Sequence, residues 1–176
     1  MPQAQRIYIT GFMGSGKTTT ARKLASGLKW SFIDIDREIE VSAGKSINDI
    51  FSESGEDFFR ELESETLQNL DIHKDTVISV GGGAPCFSDN MDFMKKSGII
   101  IYLRMTPRQI ISRLSAETGK RPLIKDIEKN DLQQYIEEKL SEREKYYNRA
   151  TIIVDGINLN IKALIERIRE LMLRHD

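Results

Sequence analysis

The chain lacks most of what would tie it to a membrane, a secretory route or a nucleic acid. Cys86 is the only cysteine in 176 residues, so no internal disulfide can form and a reducing cytosol is the natural setting. It follows Pro85 in an apolar stretch and reads as a small buried hydrophobe, not a nucleophile. Neither sign of charge is in excess: 26 Lys and Arg face 27 Asp and Glu, a formal net charge of −1, whereas a nucleic-acid partner usually calls for a basic footprint. No apolar run is long enough to span a bilayer. The opening Met1-Pro2-Gln3-Ala4-Gln5-Arg6 has no apolar stretch of the signal-peptide kind. No internal repeat or low-complexity segment occurs. Both histidines, His73 after a helix end and His175 in the tail, read as solvated groups. What remains is ordinary for a soluble globular chain, 39% hydrophobic and 30% charged, at a length that suits one domain spanning 1–176 with a sizeable core.

What is present starts with Gly11-Phe12-Met13-Gly14-Ser15-Gly16-Lys17-Thr18, which fits the phosphate-binding loop G-x-x-x-x-G-K-[ST] at every fixed position. A short apolar run, 7–9, precedes it, and 19–28 follows with Ala21, Leu24, Ala25 and Leu28 at helical spacing. Strand, loop and helix are the context this motif needs. Glycines let the backbone wrap phosphate oxygens, and the amides at the helix start point at the anion. Lys17 would reach the β- and γ-phosphates, and the Thr18 hydroxyl would ligate Mg²⁺.

Ile- and Val-rich runs at 7–9, 31–34, 77–80, 99–103 and 152–155 alternate with helical patterns. That alternation predicts parallel strands buried on both faces and right-handed crossovers. The expected fold is a three-layer α/β sandwich of the P-loop NTPase type, with a five-stranded parallel sheet. Ligands in such sheets bind beyond the carboxyl ends of the strands. The chemistry-bearing residues follow those runs: the phosphate loop after the first, Asp34 and Asp36 at the second, Gly81-Gly82-Gly83 after the third. Helices are expected near 46–51, at 56–70, after Thr106-Pro107, at 131–147 and at 160–173. Trp30 is expected to pack against the sheet edge, and Tyr146 and Tyr147 to anchor the long helix. The polar stretch 115–125, with Gly119, Lys120, Arg121 and Lys125, reads as a mobile basic lid.

A phosphate loop alone could serve a GTPase, a motor ATPase or a small-molecule kinase. The Asn-Lys-x-Asp stretch of GTPases does not occur, and the third strand ends in glycines instead of an acidic pair. The loop with Phe32-Ile33-Asp34-Ile35-Asp36, then Ile50-Phe51 through Gly55-Glu56 to Phe59-Arg60 and Glu63, resembles shikimate kinase. Gly81-Gly82-Gly83-Ala84, Arg121-Pro122-Leu123 and Glu142-Arg143 through Tyr146 continue the match in the family's order, so that it covers nearly the whole chain. A gluconate kinase would share sheet and loop but differ around Arg60 and lack the glycine triplet. A non-catalytic nucleotide-binding module would typically lose Lys17, Thr18 or the aspartates.

The resemblance implies transfer of the ATP γ-phosphoryl group to the 3-hydroxyl of shikimate, with Mg²⁺ as cofactor. It implies that Gly14, Ser15, Gly16, Lys17, Thr18 and Thr19 hold the phosphates and that Lys17 follows the migrating charge. Asp34 would support the metal through water, and Asp36 would bind substrate hydroxyls and be the candidate base. Arg60 and Arg143 would clamp the carboxylate; Gly81, Gly82 and Gly83 would set bare backbone against the ring, with Gly82 as amide donor. Arg121 would close over the phosphates from a lid at 114–125, and Arg113 would stack on adenine. The segment 35–72 would carry the acid substrate. Taken alone, the residues leave other readings open: solvated acids opening a helix, helix-surface ion pairs around both arginines, a tight turn, and a solvated loop arginine. Where the family often has Ala-Asp, this chain has Ala150-Thr151, a change expected to alter only a local cap. The expected partners are ATP and shikimate, with no nucleic acid or membrane, in a cytoplasmic monomer.

Overall fold

The computed structural model describes residues 5–115, 127 and 129–173. The five apolar runs form β1 (Arg6–Thr10), β2 (Ser31–Asp34), β3 (Thr76–Ser79), β4 (Ile99–Arg104) and β5 (Ile152–Asp155). Among these residues the helices are α1 (Lys17–Leu28), α2 (Ile35–Ala43), α3 (Ile47–Gln68), α4 (Asn90–Ser97), α5 (Pro107–Ser115), α6 (Lys129–Tyr147) and α7 (Ile161–Leu173). All strand pairs are parallel, in the order β2-β3-β1-β4-β5, with Ile7 opposite both Val77 and Ile99.

Side chains alternate across each strand, so the central strand feeds two separate cores. Ile7 and Ile9 pack with Val77, Ile101 and Leu103 against Ala21 and Leu24 of α1 and Leu164 and Ile168 of α7. Tyr8, Ile78 and Ile100 face the other way, onto Ile35 and Ile39 of α2, Phe59 and Leu67 of α3, and Met91 and Met94 of α4. This is the expected three-layer α/β sandwich. A third cluster of Phe12, Met13, Tyr102, Leu114, Ile136, Leu140 and Tyr147 fastens α5 and α6 to the phosphate loop. Each fully buried aliphatic side chain here contributes about 1.5–3 kcal/mol. A charge at Val77, which is 0% exposed, would break the core.

Two helices escape the periodic reading. α2 buries only Ile35 and Ile39, and α4 only Asn90, Met91 and Met94, too few positions to register as a stripe. The helices expected near 46–51 and at 56–70 run into one element, α3, opened by Ser46, whose hydroxyl accepts from the Asp49 amide at 3.1 Å. Gly55 breaks it with φ 80 and ψ 176, a conformation open essentially to glycine, and so sets the direction from which Arg60 enters the site. Strand and helix ends otherwise shift by a residue or two. β3 stops at Ser79, one short of the expected 80, and α1 begins at Lys17, inside the motif.

Trp30 packs half-buried beside edge strand β2, as expected, and His73 is exposed beside Asp71. Cys86 is half-buried in a 3-10 turn, Ala84–Cys86, and burial pushes its thiol up to about 11, the inert state expected of it. The Thr151 hydroxyl accepts the Ile100 amide at 3.2 Å, tying the entry of β5 to β4. Leu114 and Ser115, assigned above to the lid, belong to α5, with Leu114 4% exposed, because that side chain completes the third core. The rest of the lid segment, with Arg121, and His175 lie outside the described residues. Among the described residues no helix is long and apolar enough to cross a membrane.

Candidate active site

The site lies at the carboxyl ends of β1, β2 and β3, where the chain leaves the sheet three times. After β1, Gly11, Gly14 and Gly16 take φ values of 152, 76 and 85, which wrap the loop back onto α1. A Cβ at Gly11 would lie 2.8 Å from Ser15 Oγ and 2.9 Å from the Leu103 carbonyl. Ser15 is buried beneath the loop, and its amide donates to Phe12 O at 3.1 Å, so it shapes the cradle from below. Lys17 Nζ also donates to Phe12 O, at 3.1 Å. The amides opening α1 and the positive end of its dipole face the same space.

Thr18 Oγ1 donates to Asp34 Oδ2 at 2.7 Å and lies 3.3 Å from Ser79 Oγ. The β2–β3 register sets Asp34 opposite Ser79, so two strand ends deliver hydroxyl and carboxylate oxygens to the first turn of α1. Ser79 was not anticipated; only the register reveals it. Asp36, in the first turn of α2, is open to the cleft, yet protein crowds its other sides. Desolvation and then the Asp34 charge raise its pKa, while Lys17 and Arg60 pull it down.

Arg60 and Arg143 are each 8% exposed, so neither is a surface ion pair. Arg60 Nη1 bonds Glu63 Oε2 at 2.6 Å, and its Nη2 and Nε reach Glu56 Oε1 at 3.1 and 3.3 Å. Glu63 is wholly buried, and burial pushes its carboxyl up to about 7 against the pull of Arg60. Its second oxygen, Oε1, has no hydrogen-bond partner among the described residues. Arg143 comes from α6 and lies over the Phe12 ring, 5.2 Å from its centroid, while its neighbour Glu142 pairs with Lys139.

The glycine triplet explains how these groups converge. A Cβ at Gly81 would sit 1.8 Å from Glu63 Oε1 and 3.5 Å from Asp36 Oδ1. One at Gly82 would sit 3.2 Å from Gly11 O and 3.5 Å from Arg143 Nη1, and one at Gly83 would sit 2.3 Å from Arg60 Cζ. Bare α-carbons let α3, the phosphate loop and α6 close on one point. The stretch is a tight turn as well, with Ala84 N donating to Gly81 O at 3.2 Å.

Two adjoining cavities result. The larger, about 620 Å³, is lined by Gly14, Gly16, Lys17, Thr18, Thr19, Asp34, Ser79 and Arg113. The smaller, about 110 Å³, lies among Arg60, Arg143, Glu63 and Gly83, with Ile47, Phe51 and Phe59 as its apolar wall. Asp36, Gly81 and Gly82 line both. Arg113 donates to Gly14 O at 3.3 Å and Gly156 O at 3.2 Å, bridging the phosphate loop to the turn after β5. Sequence reasoning assigned no role to Glu63 or to the Tyr147 hydroxyl, which donates to Gly82 O.

A phosphate cradle joined to a small pocket with two buried guanidiniums defines a P-loop kinase acting on a small acid. A shikimate kinase family model matches residues 13–173, and the chain belongs to that family. A shikimate kinase of Parabacteroides distasonis is 40% identical over 152 residues, 86% of this chain and 88% of its own length. The crystal structure of shikimate kinase from Bacteroides thetaiotaomicron superposes with a TM-score of 0.84 at 37% identity, covering 96% of this chain and 98% of its own. That of the Acinetobacter baumannii enzyme in complex with shikimate gives a TM-score of 0.84 at 32% identity, covering 99% and 96%.

Proposed function

We infer that this chain transfers the γ-phosphoryl group of ATP to the 3-hydroxyl of shikimate, giving shikimate 3-phosphate and ADP, a step towards chorismate and the aromatic amino acids. The observation that carries this reading is the shared wall: Asp36, Gly81 and Gly82 border the phosphate cavity and the guanidinium pocket alike. A hydroxyl held there meets a phosphoryl group held by the loop.

Phosphoryl transfer needs positioning and charge neutralisation more than covalent help. Gly14, Gly16, Thr19 and the amides at the head of α1 hold the triphosphate, Ser15 shapes the loop, and Lys17 follows the charge to the transferred group. Thr18 Oγ1, Asp34 and Ser79 supply the hard oxygen donors that suit Mg²⁺ in such kinases, alongside substrate phosphates. When bound, the ion would neutralise phosphate charge. Arg60 and Arg143 grip the substrate carboxylate as planar, permanently charged forks. Asp36 accepts hydrogen bonds from the ring hydroxyls, and its raised pKa suits it to take the proton as the new P–O bond forms. The Gly82 amide is the ring's backbone donor, with Gly81 and Gly83 giving it room. Arg113 offers its guanidinium face to adenine, and Arg121 on the 114–125 lid closes over the phosphates. Segment 35–72 is the acid-binding part of one kinase domain, 1–176. The reading taken with this is a cytoplasmic monomer, supported by a candidate site whose residues all come from one chain and by a lone cysteine.

The test is a coupled ADP-release assay with shikimate, quinate, gluconate or no acid. Release that depends on shikimate is expected. Nucleotide consumed no faster with shikimate than without it overturns the reading.

A further inference from the structure

Tyr147 has a place in the site that its role in the core does not explain. It is 0% exposed, on α6 one turn beyond Arg143, and its ring packs on Tyr102 with centroids 4.9 Å apart. A buried tyrosine in such a cluster needs only a partner for its hydroxyl. Here the hydroxyl donates to the Gly82 carbonyl, and the Arg143 guanidinium donates to the hydroxyl oxygen itself. Burial raises the phenol's pKa far above the neutral range, so it remains a donor.

The consequence lies in the peptide plane. The carbonyls on either side of Gly82 are held by the local turn: Gly81 O accepts from Ala84 N at 3.2 Å, and Gly83 O from Cys86 N at 3.0 Å. The Gly82 carbonyl is instead held from another element, by Tyr147. It belongs to the same planar trans unit as the Gly83 amide, which therefore points away from α6. Between two glycines that unit turns easily unless held. One hydroxyl thus fixes both the tilt of the triplet and the orientation of Arg143, which line the acid pocket together.

We propose that Tyr147 is a positioning residue for the acid substrate, its hydroxyl coupling the Arg143 guanidinium to the Gly82 peptide. This rests on the phosphotransfer reading given above. The test compares Tyr147→Phe with Tyr102→Phe, which alters the same aromatic pair outside this hydrogen-bond chain. Tyr147→Phe is expected to raise the KM for shikimate roughly tenfold, about 1.4 kcal/mol, and to leave the KM for ATP within about twofold. Tyr102→Phe is expected to leave both near wild type. Arg143→Lys combined with Tyr147→Phe is expected to cost less than the product of the single effects. Equal shikimate KM values in the two Phe variants would reduce Tyr147 to ring packing and overturn the proposal. Should Tyr147→Phe fail to fold, the wild-type protein still decides. Its buried hydroxyl proton, followed by NMR, must shift on adding shikimate and not on adding ADP, and an unmoved signal refutes the coupling. Wild-type protein without shikimate-dependent ADP release would remove the functional reading, and this proposal with it. Normal wild-type turnover beside an indifferent Tyr147→Phe would remove this proposal alone.

Discussion

Gly83→Ala adds one methyl group, and its effect can be worked out from the structure. Gly83 has φ −89 and ψ −19, an ordinary helical backbone, so alanine there suffers no strain of its own. The cost falls on Arg60. The new Cβ would lie 2.3 Å from Cζ and 2.5 Å from both terminal nitrogens, where real contacts do not come under 3.0 Å. The guanidinium must withdraw, against its 2.6 Å bond to Glu63 and its bonds to Glu56. Glu63 cannot follow freely, because it is wholly buried and Gly81 presses on its other oxygen. Overpacking of this kind destabilises by about 1–3 kcal/mol. Losing one charge-assisted grip on the substrate carboxylate removes about 1.5–3 kcal/mol of binding. The KM for shikimate should therefore rise roughly 10- to 100-fold. Gly83 does not line the larger cavity, so the KM for ATP should stay within about twofold. ADP-release kinetics with each substrate varied in turn, together with urea unfolding, read both quantities. A folded Gly83→Ala protein with unchanged shikimate KM would refute the placement of the acid against Arg60.

Lys17→Met should lower kcat by roughly 10²–10³-fold or more with the circular dichroism spectrum unchanged, and near-normal turnover would remove the phosphate role of Lys17. Glu63→Gln should change how stability depends on pH. Burial raises the Glu63 carboxyl from 4.5 to about 7, so between those values the folded chain keeps a proton that the unfolded chain has released. Its stabilising contribution is thus complete below 4.5 and lost as pH rises through about 7. At roughly 1.4 kcal/mol per pKa unit it is worth about 3 kcal/mol at most. Urea unfolding across that window should show the decline in wild type and a flatter curve in Glu63→Gln; matching curves would contradict it. Gly55→Ala should cost about 1–3 kcal/mol through backbone strain alone, because its Cβ would meet nothing within 4 Å at φ 80. Unchanged stability to urea would show that the break in α3 relaxes freely.

Legibility in the sequence followed the range of the interaction. The five strands and the loop were readable because their signals are contiguous: apolar runs, glycine spacing, and a lysine and a threonine at fixed offsets. Helices α2 and α4 were not, because so few of their side chains are buried. Arg60 shows the boundary best. Its neighbours Glu56 and Glu63 suggested a surface ion network, and both do bind it. Burial of Glu63, invisible in the local string, turns that network into a pocket wall. Ser79 gained a role only through the β2–β3 register, and the Tyr147 hydroxyl only through the packing of α6 on the glycine triplet.

The order of residues by itself settled that this chain builds a parallel α/β sheet with a phosphate cradle after its first strand, since turn geometry and periodicity act between near neighbours. Only the folded arrangement decided that guanidiniums from α3 and α6, a carboxylate from α2 and three bare α-carbons after β3 share one small volume. Contacts between distant segments depend on how layers pack and how strands register, and no local pattern in the chain encodes those distances.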